Sequence, residues 1–160
     1  MVHLKSEREL ERLRASADLV GRTLGTVASS IAPGVTTSEL DQIAEAFILD
    51  HNAKPAFKGY RVGKEVFPST LCTSVNDEVV HGIPNQNPLK EGDIVSVDCG
   101  VLLNGYYGDS AFTFAVGDIS DDTRALLTAT YESLMLAIAE STTGKRLGDI
   151  GAAVQQHCEL

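Results

Sequence analysis

The sequence predicts an α+β fold in which a pair of helices is followed by strands and then by a second pair of helices. Three observations predict it. Apolar residues recur at steps of three and four through residues 5–31 and again through residues 121–140, the period of an amphipathic helix. Between them, Asn104-Gly105 separates two runs of alternating side chains and is the strongest turn signal in the chain, because a type I′ turn needs φ > 0 at both central residues. Finally, the pattern of helix, glycine-containing break and helix occurs twice. Gly34, Glu39 and Leu40 correspond to Gly144, Asp149 and Ile150 at a constant offset of 110, and Leu24 matches Leu134, which suggests an internal repeat. The sequence therefore reads as one domain over 1–160, divided into a first half, 1–118, and the start of a second, 119–160. Strands follow the helices in the first copy, but the sequence stops before any follow in the second. The chain is expected to be a fragment, or a truncated member, of a two-part fold.

The elements follow in order. Leu10, Leu13, Ala17, Val20, Leu24, Val27 and Ile31 form one apolar stripe. Ser6 with Glu9 is a capping-box pattern, and Ala32-Pro33-Gly34 ends the helix. Thr37 or Ser38 can cap a second helix, whose buried face is Leu40, Ile43, Ala44, Phe47 and Ile48; Pro55 prevents its continuation. Phe57, Tyr60 and Phe67 fall in a loop rich in Gly, Lys and Pro. Leu71–Val75 is a short strand candidate. After the hairpin, Ser120-Asp121-Asp122 starts a third helix striped by Leu127, Tyr131, Leu134 and Ile138. A fourth starts near Gly148-Asp149 and is expected to run on to Leu160.

Composition narrows the function classes. A chain of 160 residues is long enough to bury a real core. Its hydrophobic content of 43% and charged content of 22% are those of an ordinary globular protein. A net charge of −9 gives no electrostatic support to nucleic-acid binding. No apolar run approaches the roughly 20 residues of a membrane span. The first ten residues are charged throughout and do not resemble a signal peptide. Cys72, Cys99 and Cys158 are sparse, odd in number and without metal-like spacing, which suits packing roles in a reducing cytoplasm.

The hairpin carries chemistry. With Asn104-Gly105 as its turn, Leu103 pairs with Tyr106, Val101 with Gly108, and Asp98 with Ala111. Side chains alternate, so Ser96, Asp98, Asp109, Ala111 and Thr113 share one face. Val95, Val97, Cys99, Val101, Phe112, Phe114 and Val116 share the other, which belongs in a core. Asp98 and Asp109 become diagonal neighbours with Cβ atoms roughly 7–8 Å apart. Two carboxylates held so close call for a cation, and such pairs bridge divalent ions in hydrolytic sites. The bland alternative is a solvated strand face. Gly100 and Gly108 flank the acids, and glycine in a strand marks the close approach of a ligand or another backbone.

His81 lies in His-Gly-Ile-Pro, just upstream of the acids, in a loop bounded by Gly82 and Pro84. That placement makes it a candidate site residue. His3, His51 and His157 fall at a terminus or on helices and are read as surface residues. No phosphate-binding glycine loop and no His-Glu-x-x-His motif occurs.

Four segments together resemble the type I methionine aminopeptidases. They are Pro33-Gly-Val-Thr-Thr-Ser-Glu-Leu-Asp41, Asn76-Asp-Glu-Val-Val-His-Gly-Ile-Pro84, Gly92-Asp-Ile-Val-Ser-Val-Asp98 and Asn104-Gly-Tyr-Tyr-Gly-Asp-Ser110. The resemblance covers essentially the whole chain but only the leading part of a usual family member. It implies the pita-bread fold, two pseudo-symmetric α+β halves around a curved sheet, with the first half complete and the second truncated. It implies removal of the initiator methionine from nascent proteins when the next residue is small, with two divalent ions (Co, Mn, Fe or Zn) and a bridging water. By the same resemblance, Asp98 is a ligand of one metal and Asp109 bridges both. His81 contacts the substrate near the scissile amide and acts in catalysis. Tyr60, Phe67 and Cys72 resemble the methionine side-chain pocket. Expected partners are N-terminal Met peptides and the ribosome, with no nucleic acid and no membrane bound directly. The full-length form is expected to be a cytoplasmic monomer.

The sequence departs from that family in several places. The downstream histidine and two glutamates that complete the metal site have no counterpart here, so a chain of this length is expected to be inactive and to bind metal weakly. Tyr107 stands where many members have histidine. Cys99-Gly100 replaces a frequent Val-Thr, Phe67 stands where tyrosine is frequent, and the Arg61–Val66 loop is longer than usual. Two rival readings are an X-Pro peptidase-like hydrolase and a catalytically silent pita-bread module that binds peptides. The short region before the first helix argues against the former, and the retained acids and His81 against the latter.

Overall fold

Each helix starts where a side chain can satisfy the free amide groups of its first turn. In the computed structural model, which describes residues 3–159 and of Val62 only the backbone, α1 spans Glu7–Ala28 behind the Ser6 cap. The expected capping box is present: the Glu9 N–H donates to Ser6 Oγ (3.4 Å) and the Ser6 N–H donates to Glu9 Oε2 (2.8 Å). Helix α2 spans Thr37–Asp50. Its cap is Thr36, one residue before the expected Thr37 or Ser38. Only Thr36 stands three residues ahead of Glu39, so only it can exchange both bonds with that residue: the Glu39 N–H donates to Thr36 Oγ1 (3.2 Å) and the Thr36 N–H to Glu39 Oε2 (2.7 Å). Thr37 is instead buried, and its hydroxyl donates to the Asn85 carbonyl and accepts the Asn85 N–H.

The strands are β1 (Lys54–Pro55), β2 (Arg61–Val62), β3 (Glu65–Val66), β4 (Leu71–Val75), β5 (Ile94–Leu103) and β6 (Tyr106–Ala115). Strands β5 and β6 pair over their whole length in the register expected from the Asn-Gly turn: Leu103 with Tyr106, Val101 with Gly108, Asp98 with Ala111. Asn104 and Gly105 both have positive φ, 52° and 84°. On the other edge of β5, β4 pairs with residues 95–99 and β1 with residues 101–102. All pairs are antiparallel. Strand β5 is thus the centre of the sheet.

Helix α1 covers the Val95-Val97-Cys99-Val101 face. Val20, Val27, Leu40, Ile48 and Leu71 are buried with these residues in one core, each contributing roughly 1.5–3 kcal/mol. The stripe differs from expectation at its N-terminal end. Ala17 is exposed, while Ser16 and Thr23 are fully buried. The reason is local satisfaction: Ser16 Oγ donates to the Tyr106 carbonyl (3.0 Å) and Thr23 Oγ1 to the Leu19 carbonyl (2.8 Å). Close approach of helix to strand is possible because Gly108 has no side chain; a Cβ there would lie 2.5 Å from the Ser16 carbonyl oxygen. Phe112 was expected inside, yet it is 50% exposed. It stacks on Phe114 (4.8 Å between centroids) beside Gly21 and Gly25, whose missing side chains leave a shallow open groove.

The chain divides into two compact units at Asp118/Ile119. The second unit contains α3 (Asp121–Glu140), capped by Ser120, and α4 (Leu147–Cys158). Helix α4 closes at Glu159, and the expected continuation to Leu160 lies outside the described residues. His157 pairs with Glu132 (3.1 Å). The repeat seen in the sequence extends to geometry. Gly34 and Gly144 both take left-handed φ, 94° and 91°. Thr37 and Leu147, at the same offset, begin their helices, and Asp149 accepts the Arg146 N–H (2.8 Å) as Glu39 accepts that of Thr36. The expected stripe of α3 is largely uncovered: Tyr131, Leu134 and Ile138 are each more than half exposed.

Candidate functional site

Because directly paired residues share a face, the register puts Cys72, Asp98 and Ala111 in one row across β4, β5 and β6 on the face away from α1. Ser74, Ser96 and Thr113 form the next row on the same face, and Ser96 Oγ and Thr113 Oγ1 are 2.7 Å apart. In the third row, Gly100 pairs with Asp109. The two predicted carboxylates therefore project from one face as diagonal neighbours. Asp98 is half-buried and Asp109 exposed.

The electrostatics of this face are strained. Asp98 Oδ1 is buried and has no hydrogen-bond partner. Burial pushes the Asp98 carboxyl above the usual carboxylate range. The charge of Asp109 pushes it further, while that of nearby His81 pulls it back. Burial, and then the two carboxylates, push the Cys72 thiol up to about 11. The Cys99 thiol, on the core face, is pushed up to about 12 for the same reasons. Both thiols stay protonated and inert at neutral pH.

His81 is exposed and lies in the loop between β4 and β5. Val80 and His81 both have positive φ, 37° and 58°, a conformation that a β-branched residue rarely adopts. The loop is fastened to β4. The Thr73 N–H donates to the Gly82 carbonyl (2.8 Å), the Gly82 N–H to Ser74 Oγ (3.2 Å), and the Val75 N–H to Glu78 Oε2 (3.0 Å).

Tyr60 and Phe67 are brought together, since the Phe67 N–H donates to the Tyr60 carbonyl (2.8 Å) across the base of the β2–β3 hairpin. They line a largely apolar pocket of about 140 Å³ with Glu65, Val66, Pro68 and Ile83. Cys72 does not line it, and stands with the acids instead. Sequence reasoning missed Phe57, whose ring lies against Gly100 on the carboxylate face; a Cβ at Gly100 would be 2.6 Å from Phe57 Cε1. The only local signal was the glycine itself. Among the described residues, no three His, Cys, Asp or Glu side chains gather closely enough to hold a metal ion.

The sequence pattern of metallopeptidase family M24 matches residues 11–160. The chain belongs to metallopeptidase family M24. Among curated M24 relatives, it is 46% identical over 160 residues to the methionine aminopeptidase of Clostridium acetobutylicum and 47% identical over 159 residues to methionine aminopeptidase 1 of Bacillus subtilis. Each match covers 99% of this chain and 62% of the relative. The chain thus spans less than two thirds of the curated relatives it matches. The crystal structure of methionine aminopeptidase from Rickettsia prowazekii superposes with a TM-score of 0.93 at 40% identity, over 99% of this chain and 62% of that one. The prolidase from Pyrococcus furiosus superposes with a TM-score of 0.84 at 19% identity, a likeness of fold alone. The fold expected from the sequence, α+β of the pita-bread kind, is the fold these neighbours share.

Proposed function

We propose that this chain carries part of the active site of a metal-dependent methionyl aminopeptidase, which removes the N-terminal methionine of nascent proteins when the next residue is small. The observation that carries this reading is the pair Asp98 and Asp109 on one face of a hairpin, with a buried Asp98 oxygen that no protein group satisfies. A buried anionic oxygen without a donor is costly. A divalent cation would remove that cost, and hard carboxylate oxygens suit Mn, Fe, Co or Zn. The residues present therefore fit a metal. In our reading Asp98 and Asp109 would hold the metal. Bound there, the ions would polarise the scissile carbonyl and the attacking water.

The chain's own residues supply the rest. His81, held at the rim of the carboxylate face, donates a hydrogen bond to the scissile amide and stabilises charge as the carbonyl is attacked. Tyr60 and Phe67 take the methionine side chain in their pocket, while Cys72 stands beside Asp98 on the carboxylate face. The free amino terminus of the peptide meets the acidic face. The enzyme works as a monomer in the cytoplasm on chains emerging from the ribosome. Methionine release is favoured over X-Pro cleavage because the relatives at 46–47% identity are methionine aminopeptidases, whereas the prolidase shares only 19%.

The test is to load the native polypeptide with Mn²⁺ and assay Met-Ala-Ser beside an X-Pro peptide. Methionine release that disappears in Asp98→Ala is expected. In His81→Ala, kcat should fall about 10²–10⁴-fold with KM moved far less. Turnover of the X-Pro peptide alone, or Met-Ala-Ser turnover unaffected by Asp98→Ala, would overturn the reading.

A further inference from the structure

We infer that Ser74 is a positioning residue that holds His81 in its working place through the backbone of Gly82. This rests on the role given to His81 above. Two consecutive non-glycine residues with positive φ, Val80 and His81, are strained and persist only where the surroundings over-determine them. Here the surroundings are β4. Gly82 is gripped on both sides: its carbonyl accepts the Thr73 N–H, and its N–H donates to Ser74 Oγ. The first bond is made by backbone alone. The second depends on a side chain that is 4% exposed, so water does not readily replace it. The grip is close enough that a Cβ at Gly82 would overlap the Thr73 carbonyl. Ser74 sits one row from Asp98 and Cys72 on the carboxylate face. The same strand thus fixes both the carboxylate floor, through its pairing with β5, and the His81 rim.

Removing the hydroxyl leaves the Gly82 N–H without its acceptor and frees the strained pair to relax. The expected effect of Ser74→Ala is that of one lost hydrogen bond, a fall in kcat of roughly three- to tenfold with KM within about twofold. Exchange of the Gly82 amide hydrogen should accelerate by the same factor, while the Val95 and Val97 amides of β5 keep their protection. Ser74→Thr, which keeps the acceptor, should restore both kcat and Gly82 protection. Ser74→Cys keeps an atom in the γ position but has a poor acceptor; it gives the same reading should the alanine variant not fold. These variants are made in the native, metal-loaded polypeptide beside His81→Ala. A low kcat in His81→Ala with wild-type kcat and Gly82 exchange in Ser74→Ala overturns this inference alone. An equal loss of kcat in Ser74→Thr with intact Gly82 protection also overturns it. A wild-type kcat in His81→Ala overturns the role of His81, and this inference with it.

Discussion

Asp98 and Asp109 stand diagonally across the β5–β6 ladder, one opposite Ala111 and the other opposite Gly100. If this face holds a divalent cation, as proposed above, the shared face and the unpartnered Asp98 oxygen couple cation binding to fold stability. Mn²⁺ at about one hundred times its Kd should stabilise the native polypeptide by about 2.7 kcal/mol. In Asp98→Asn the stabilisation should vanish while metal-free stability holds or rises, since one buried charge is gone. Thermal unfolding with and without Mn²⁺ checks it. An undiminished metal effect in Asp98→Asn would place the cation elsewhere.

The two strand glycines should respond differently to a methyl group. Gly108 faces the backbone of α1 at Ser16, whereas Gly100 faces the ring edge of Phe57. A helix cannot step aside as a ring can. Gly108→Ala should cost about 1–3 kcal/mol, and Gly100→Ala less, with the carboxylate face rather than the core disturbed. Urea unfolding of both variants decides the order.

Asn76 ties the start of the His81 loop to the root of β5. Its Nδ2 donates to Asp93 Oδ1 (2.8 Å), and its Oδ1 accepts the Ile94 N–H (3.0 Å). The Asn76 amide, and then the Lys90 N–H, hold the Asp93 carboxyl below its ordinary value of 3.8. An acid with a depressed folded pKa adds stability that is complete above its unfolded value and disappears as pH falls through the folded one. Asn76→Ala removes both side-chain hydrogen bonds and should cost about 1–2 kcal/mol at neutral pH. Its gap from wild type should narrow as the pH drops below 3.8. Acid titration of unfolding midpoints measures this.

At the start of α2, Thr36→Ala should lower stability by about 1 kcal/mol, because it removes the acceptor for the Glu39 N–H. Ser38→Ala, which touches no cap bond, should stay within about 0.5 kcal/mol. Chemical denaturation of the pair separates the two assignments.

What the sequence made legible was local. Asn104-Gly105 and strict alternation determined the register of β5 on β6, and with it the common face of Asp98 and Asp109. Ser6 and Glu9 located the first helix by a spacing of three. What escaped notice depends on distant partners. Nothing near Phe57 indicates that its ring lies on Gly100, and nothing near Ser74 indicates that Gly82 returns to it. Strands β2 and β3 have two residues each, too short for any period to show. Phe112 was misread because alternation tells which residues share a face, not how far the covering helix reaches along it.

The grip of Ser16 on the hairpin has a consequence in time. Its hydroxyl bonds a carbonyl 90 positions later in the chain. At a synthesis rate of roughly 5–20 residues per second, that partner emerges about 5–20 s after the helix. During this wait the apolar flank of α1 has neither β5 nor β6 to cover it. When the hairpin does arrive, only one register brings Gly108 beneath Ser16; a slip by one residue would drive Tyr107 or Asp109 into the helix backbone. The first helix therefore serves as a gauge against which the late-born strands are checked, and the carboxylates become correctly placed only once they have passed it.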